Sequence, residues 1–364
     1  MASKKSTLEN MVSVNEKFWE NKKVFVTGHT GFKGSWLCLW LQKMNSIICG
    51  YSLEPNSNPN LFNLANVDQK MKSIIGDIRD LEKIKHKIND FDPDIVIHMA
   101  AQPLVRLSYV DPVETYTTNV IGTLNLLEAC RSCKSLKSIV VITTDKCYEN
   151  KEKDEGYKEF EPMGGHDPYS SSKGCCELLV SSYRRSYFND KNSASLASVR
   201  AGNVIGGGDW SKDRLIPDIL NSFKDSKTVK IRNPKSIRPW QHVLEPLSGY
   251  LILAERLYIN GDKYAEAWNL GPDIEDCKTV EWILNNMVKK WGEGASWKYE
   301  KNDNLHEANF LKLDCTKAAS MLNWFPKWKL DYTLSLIIDW YKQFINKSDM
   351  RDICLKEISK YMKN

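Results

Sequence analysis

The chain has 364 residues, enough for one large domain or two modest ones around a sizeable core. Its 51 basic residues exceed its 46 acidic ones by five, spread along the chain, a balance too mild to point to nucleic acid as a partner. Hydrophobic residues at 42% exclude a disordered or collagen-like chain, and no apolar run reaches the ~18 residues of a bilayer-crossing helix, so no membrane partner is expected.

The opening run Met1 to Ser6 has no apolar stretch behind it, so no secretory signal and a cytoplasmic location are expected. The ten cysteines sit mostly in apolar or helical contexts, and a cytosolic chain of this length needs no disulfide framework. Cys130-x-x-Cys133 has no second Cys/His pair at zinc spacing, and the six histidines are scattered, so no metal is expected.

A polar tail and short helix over 1–20 lead to a buried-type strand, Lys22 to Thr27. Gly28 to Gly34 is a glycine-rich turn that opens an apolar helix, Ser35 to Met44, followed by a strand from Ser46 to Ser52. This is a βαβ opening. The alternation continues with strands at Lys72–Ile75, Asp94–Met99, Ser138–Thr143 and Leu196–Arg200. Helices fall at Asp80–Asn89, Asp111–Cys133 and Tyr169–Phe188. Strands alternating with helices imply an α/β fold, a Rossmann-type doubly wound parallel sheet covered on both faces. After about residue 203 the rhythm fades, and helices are expected near 214–225, 243–259, 279–291 and 331–346. The expected organisation is a dinucleotide-binding domain over 21–202 with a returning segment near 236–262. A smaller mixed α/β substrate lobe takes 203–235 and 263–346. The tail over 347–364 reads as a loosely held surface helix.

Gly28-x-x-Gly31-x-x-Gly34 carries the first chemical signal. Glycine lets a pyrophosphate approach the backbone, and the following helix N-terminus offers unpaired N–H groups and partial positive charge. Tyr51 to Gln69 contains no Lys or Arg to hold a 2′-phosphate, which favours NAD over NADP, although Lys33 lies inside the loop. The second signal is Tyr169-x-x-x-Lys173. One helical turn puts both side chains on one face, where an ammonium stabilises a phenolate and makes Tyr169 a general base or acid. Thr143, Thr144, Asp145 and Lys146 end a central strand, at the edge where open α/β sheets build their sites.

Read together with Gly76-Asp-Ile-Arg-Asp80, His98 to Ala101 and Asn119 to Thr123, these motifs resemble the extended short-chain dehydrogenase/reductases. Longer strings narrow the resemblance to the nucleotide-sugar 4,6-dehydratases, and within them to the group acting on CDP-glucose. They are Gly28 to Trp36, Ala101 to Arg106, Thr144 to Tyr148, Arg200 to Trp210, Arg214 to Asp218, Ile237 to Leu247 and His306 to Ala308. The resemblance spans roughly residues 18–345.

The resemblance implies NAD as cofactor, a homodimer or homotetramer, and the following roles. Tyr169 takes the 4-hydroxyl proton, Lys173 holds the cofactor ribose and lowers the Tyr169 pKa, Thr144 hydrogen-bonds the 4-oxygen, and Asp145 protonates the departing 6-hydroxyl. Lys146 stands where dTDP-glucose relatives carry a Glu that acts at C5, and the group that removes the C5 proton stays open. Gly28, Thr30, Gly31, Phe32, Lys33, Gly34, Asp77, Ile78, Ala100, Ala101, Asn119 and Thr143 line the cofactor together with Tyr169 and Lys173. Gln102, Arg106, Asn203, Arg214, Ile216, Arg238, His242 and His306 meet the nucleotide sugar. Another nucleotide-sugar dehydratase, a 4-epimerase of this fold, and a non-catalytic nucleotide-sugar scaffold are the alternative readings.

Overall fold

Residues 12–190, 192–300 and 310–363 are described by a computed structural model of the chain. A short helix α1 (Glu16–Trp19) precedes β1 (Lys23–Thr27), the glycine turn, α2 (Phe32–Lys43) and β2 (Ile47–Ser52). Then come α3 (Leu61–Leu64), β3 (Lys72–Ile75), α4 (Leu81–Phe91) and β4 (Ile95–His98). Two short helices, α5 (Val105–Val110) and α6 (Pro112–Tyr116), run through a π-turn (Thr117–Ile121) into α7 (Gly122–Arg131). The Rossmann half closes with β5 (Ser138–Ile142), α8 (Pro168–Ser186) and β6 (Ser195–Ala201).

The second half holds β7 (Val204–Ile205), α9 (Leu215–Lys224), β8 (Val229–Ile231), β9 (Ile237–Pro239), β10 (Gln241–His242) and α10 (Leu244–Asn260). It continues with β11 (Ala267–Leu270), β12 (Cys277–Thr279), α11 (Val280–Trp291), β13 (Trp297–Tyr299), α12 (Leu330–Ile345) and α13 (Met350–Lys363).

Seven strands form one sheet in the order β11-β6-β5-β4-β1-β2-β3, every pair parallel. The near-continuous apolar runs of β1, β4 and β5 follow from burial on both faces. Val24, Val26, Ile95, Ile97, Val140 and Ile142 feed one core with α2 and α10. Phe25, Val96, Ile139 and Val141 point the other way into a second core with α4, α7 and α8. Strand order reverses between β1 and β4, the place where open α/β sheets form a crevice at the carboxyl ends of their strands. The smaller lobe is built from two-stranded ribbons, β10 with β7, β12 with β9 and β13 with β8.

Four features differ from the sequence expectation. The long helix expected over Asp111–Cys133 is interrupted by the π-turn, which carries Asn119 inward to 1% exposure. Its start is as expected: Asp111 accepts the Glu114 amide at 2.8 Å, with Pro112 in the first turn. Helix α5 lies before that cap and was not anticipated. The seventh sheet strand, β11, comes from the segment assigned to the second lobe. Helix α13 is held firmly rather than loosely. Cys354, Ile358 and Tyr361 are buried, the Tyr361 hydroxyl donates to Glu245 at 2.6 Å, and Arg351 donates to Gln42 of α2 at 2.6 Å. Its many lysines lie along an outer face and hide an apolar stripe in the sequence. Among the described residues, no helix is long and apolar enough to cross a membrane.

Candidate active site

The crevice starts at the glycine turn. Gly28 has φ +75°, and a Cβ there would stand 2.8 Å from the Ala100 amide nitrogen. At Gly34 a Cβ would meet the Gly28 carbonyl oxygen at 2.1 Å, so the helix closes onto the loop only with glycine. Gly31 precedes α2 with no side-chain cap, and a Cβ on it would meet nothing nearer than the Gly28 oxygen at 3.4 Å. The first N–H groups of α2 are thus uncapped beside open space, the arrangement that receives a phosphate.

Hydrogen bonds lock this turn to β4. The Thr27 hydroxyl accepts the Met99 and Ala100 amides at 3.1 Å each and meets His98 Nδ1 at 2.7 Å. His98 Nε2 meets Thr123 at 3.0 Å, and burial pulls the imidazole down to about 3, so it stays neutral. Thr30 joins the loop to the end of β2 by donating to the Leu53 carbonyl at 2.8 Å. Asp77 is gripped by Arg79, which holds its carboxyl below the usual range. Ile78 is buried under Gly122. Asn119 donates to Ser172 of α8 at 2.9 Å and accepts the Gln102 amide at 2.8 Å.

At the end of β5 the chain turns sharply. The Thr144 hydroxyl donates to Asp145 at 3.0 Å, and both residues are buried. Burial raises the Asp145 pKa against the pull of Lys146, the Thr144 hydrogen bond and Arg238. Tyr169 and Lys173 stand one turn apart on α8, 8% and 6% exposed. Burial pushes the Tyr169 phenol up to about 12, opposed by a hydrogen bond with Thr144 and by the Arg214 guanidinium. Lys173 Nζ donates to the Ile142 carbonyl at 3.2 Å, and Asp145 and Asp167 add to the rise of the phenol.

Lys33 stands with them. Burial, Lys173 and Arg214 push its pKa down to about 7, against the opposing pull of Asp145. Three cations converging on one carboxylate leave the crevice positive, which suits a ligand carrying phosphates. Uncapped amides, an open glycine and this charge together fit a dinucleotide.

The expected substrate contacts divide. Arg214, Arg238 and Asn203 lie at the crevice: Arg214 and Arg238 act on Tyr169 and Asp145, and Asn203 borders Gly202, whose Cβ would come 2.9 Å from Asp145 Oδ2. Arg214 pairs with Asp209 at 3.2 Å, and Arg106 pairs with Asp213 at 3.1 Å. Three side chains turn elsewhere. Gln102 spends its amide on Leu104 of its own loop and on Thr115 of α6. Ile216 is 3% exposed in the core. His242 is wholly buried between the Trp36 and Trp328 rings, with Nε2 2.8 Å from Glu357. A polar motif string does not reveal which of its members face inward, because a two-residue strand such as β10 is too short for period-2 alternation to show. His306 lies outside the described residues.

Sequence reasoning passed over Glu177 and Arg200, a buried ion pair at 2.7 Å beneath Lys173. Extending the Tyr169–Lys173 spacing by one more turn would have reached Glu177.

Comparison with known proteins places this geometry. The family model described as GDP-mannose 4,6 dehydratase matches residues 25–336. A CDP-glucose 4,6-dehydratase of Salmonella typhimurium strain LT2 is 57% identical over 353 residues, covering 96% of this chain and 98% of that one. A dTDP-D-glucose 4,6-dehydratase of Mus musculus is 26% identical, covering 88% and 89%. Among solved structures, the dTDP-glucose 4,6-dehydratase DesIV from Streptomyces venezuelae, with NAD bound, aligns with a TM-score of 0.78 at 21% identity over 90% of this chain and 99% of that one. A UDP-glucuronic acid 4-epimerase from Bacillus cereus, also with NAD, aligns with a TM-score of 0.75 at 23% identity over 88% and 99%. The backbone is thus common to dehydratases and epimerases, and the side chains in the crevice must decide between them.

Proposed function

The chain belongs to the GDP-mannose 4,6 dehydratase family, and from that premise we propose that it converts CDP-glucose to CDP-4-dehydro-6-deoxyglucose and water, with NAD as cofactor. The observation that carries this reading is the buried Asp145 carboxyl, its pKa raised, hydrogen-bonded to Thr144 beside Tyr169. An epimerase has no use for an acid that expels a hydroxyl, whereas a dehydratase needs one.

The α2 amides, Gly31 and Lys33 would hold the dinucleotide's pyrophosphate, and Lys173 its ribose. NAD held there would supply the redox chemistry, as acceptor of the C4 hydride and its donor to C6. Tyr169 removes the proton from the 4-hydroxyl, and Thr144 hydrogen-bonds the oxygen as it becomes a ketone. The ketone acidifies the C5 proton, which passes to a basic group of the crevice and returns to C5 as the hydride reaches C6. Asp145, whose pKa burial raises, gives its proton to the 6-hydroxyl, which leaves as water when the C5–C6 double bond forms. Lys146 follows on the same turn and completes the set. Arg214 and Arg238 would take the diphosphate by exchanging their present partners for its oxygens.

The apolar side chains Val110, Val113, Ile121 and Leu178 are exposed along α5, α6, the π-turn and α8, and this face supports self-association as a homodimer or homotetramer. All ten cysteines are free, which supports a reducing, cytoplasmic setting.

The test is incubation of the purified protein with the glucose or mannose esters of CDP, dTDP, GDP and UDP. CDP-glucose should give a 4-keto sugar that absorbs in alkali. A product that keeps its 6-hydroxyl, or turnover of another ester in preference, would overturn the reading.

A further inference from the structure

Tyr169, Lys173 and Glu177 stand at i, i+4 and i+8 on α8 and are all buried, so they form one inward column. Glu177 at the base of that column is fully engaged. One carboxylate oxygen accepts the Thr143 hydroxyl, and the other accepts Ser198 at 2.8 Å and the Arg200 guanidinium at 2.7 Å. Thr143 leads directly into the Thr144–Asp145 turn, and its amide is fixed to the Val199 carbonyl at 2.8 Å. Arg200 reaches on to the Tyr148 hydroxyl at 2.7 Å and the Glu159 carbonyl at 3.0 Å. Tyr148 in turn donates to Asn269 at 2.7 Å. One carboxylate therefore joins the catalytic helix, the turn after β5, strand β6 and the loop over 148–159.

We propose that Glu177, backed by Arg200, is a positioning residue: it fixes the Thr143–Asp145 turn against the face of α8 that carries Tyr169 and Lys173, and it supplies the negative charge beneath Lys173. This rests on the reading of Tyr169, Lys173, Thr144 and Asp145 as the reacting set. A buried ion pair adds little net stability compared with a well-packed apolar pair, so a specific task is the better reason for this one.

The groups facing Lys173 can be named. Cys176 and Glu177 face it from α8, Cys147 from the turn after β5, His98 from β4 and Lys33 from α2. Burial raises both thiols and lowers His98, so none of these three is charged at neutral pH. Burial would raise Glu177 as well, but Arg200, Thr143 and Ser198 outweigh it and hold the carboxyl below its ordinary value. Of these groups, Glu177 is the anion. Burial pulls the Lys173 pKa down, and Glu177 opposes that pull.

The experiment compares wild type with Glu177→Gln, Glu177→Asp and the double variant Glu177→Gln/Arg200→Met, which removes both charges and leaves none unpaired in the core. NAD affinity is followed by tryptophan fluorescence across pH, and kcat with CDP-glucose over the same range. In the double variant the alkaline limb of both profiles should move to lower pH by about one unit or more, and Glu177→Asp should restore most of it. A folded double variant with the wild-type limb overturns the proposal, whatever its loss of melting temperature. Wild-type protein that binds NAD but dehydrates no sugar nucleotide would defeat the functional reading instead, and the NAD profile would still judge the pair.

Discussion

The Asp145 carboxyl group accepts the Thr144 hydroxyl at 3.0 Å inside a crevice that also buries Tyr169, so one short turn carries a hydrogen-bond donor and an acid beside a phenol. Burial raises the Asp145 pKa, and the neighbouring cations keep the crevice positive. Replacing Asp145 by Asn keeps the shape and removes the proton. kcat with CDP-glucose should fall by about 10²–10⁴-fold, with little change in substrate affinity measured by calorimetry. Wild-type activity should decline as pH rises through the Asp145 pKa, and the residual rate of the variant should lose that decline.

Tyr169→Phe removes the group that takes the 4-hydroxyl proton. Turnover should drop by about 10²-fold or more, while NAD and CDP-glucose binding persist. Full activity in this variant would remove the base assignment.

Asp218 on α9 carries a pH signature of its own. Although the side chain is exposed, partial desolvation and the nearby Asp213 and Asp209 raise its pKa from 3.8 to about 6, against the pull of Arg106. Its folded pKa exceeds its unfolded one, so its contribution is fully present below the unfolded value and is lost as pH rises to about 6. Asp218→Asn should remove this loss. Thermal melts of the two proteins should diverge between pH 4 and pH 7 in favour of the variant.

The C-terminal helix offers a stability test. The Tyr361 hydroxyl donates at 2.6 Å to Glu245, a fully buried carboxylate that also accepts the Lys327 and Trp328 amides. Tyr361→Phe leaves that carboxylate one donor short and should cost about 1–3 kcal/mol in denaturant unfolding. An unchanged midpoint would mean that α13 is only loosely docked.

The legible parts of this molecule were those with local physics. The glycine turn announced itself because Gly28 and Gly34 admit no Cβ, and β1, β4 and β5 because burial on both faces makes them uniformly apolar. Tyr169 and Lys173 were visible from helical spacing. What escaped depends on tertiary contact. The π-turn at Asn119 is one extra residue in an otherwise helical pattern. His242 and Ile216 belong to motif strings, yet packing against Trp328 and the α9 core takes their side chains away from the crevice. Arg200 and Glu177 lie 23 residues apart on different elements, and only the folded sheet brings them to 2.7 Å.

The most direct test of the account follows one hydrogen atom. CDP-glucose carrying deuterium at C4 should yield a 4-keto product with the deuterium in its new C6 methyl group, read by NMR. Deuterium returned to C4 of a hexose that still bears its 6-hydroxyl would contradict it.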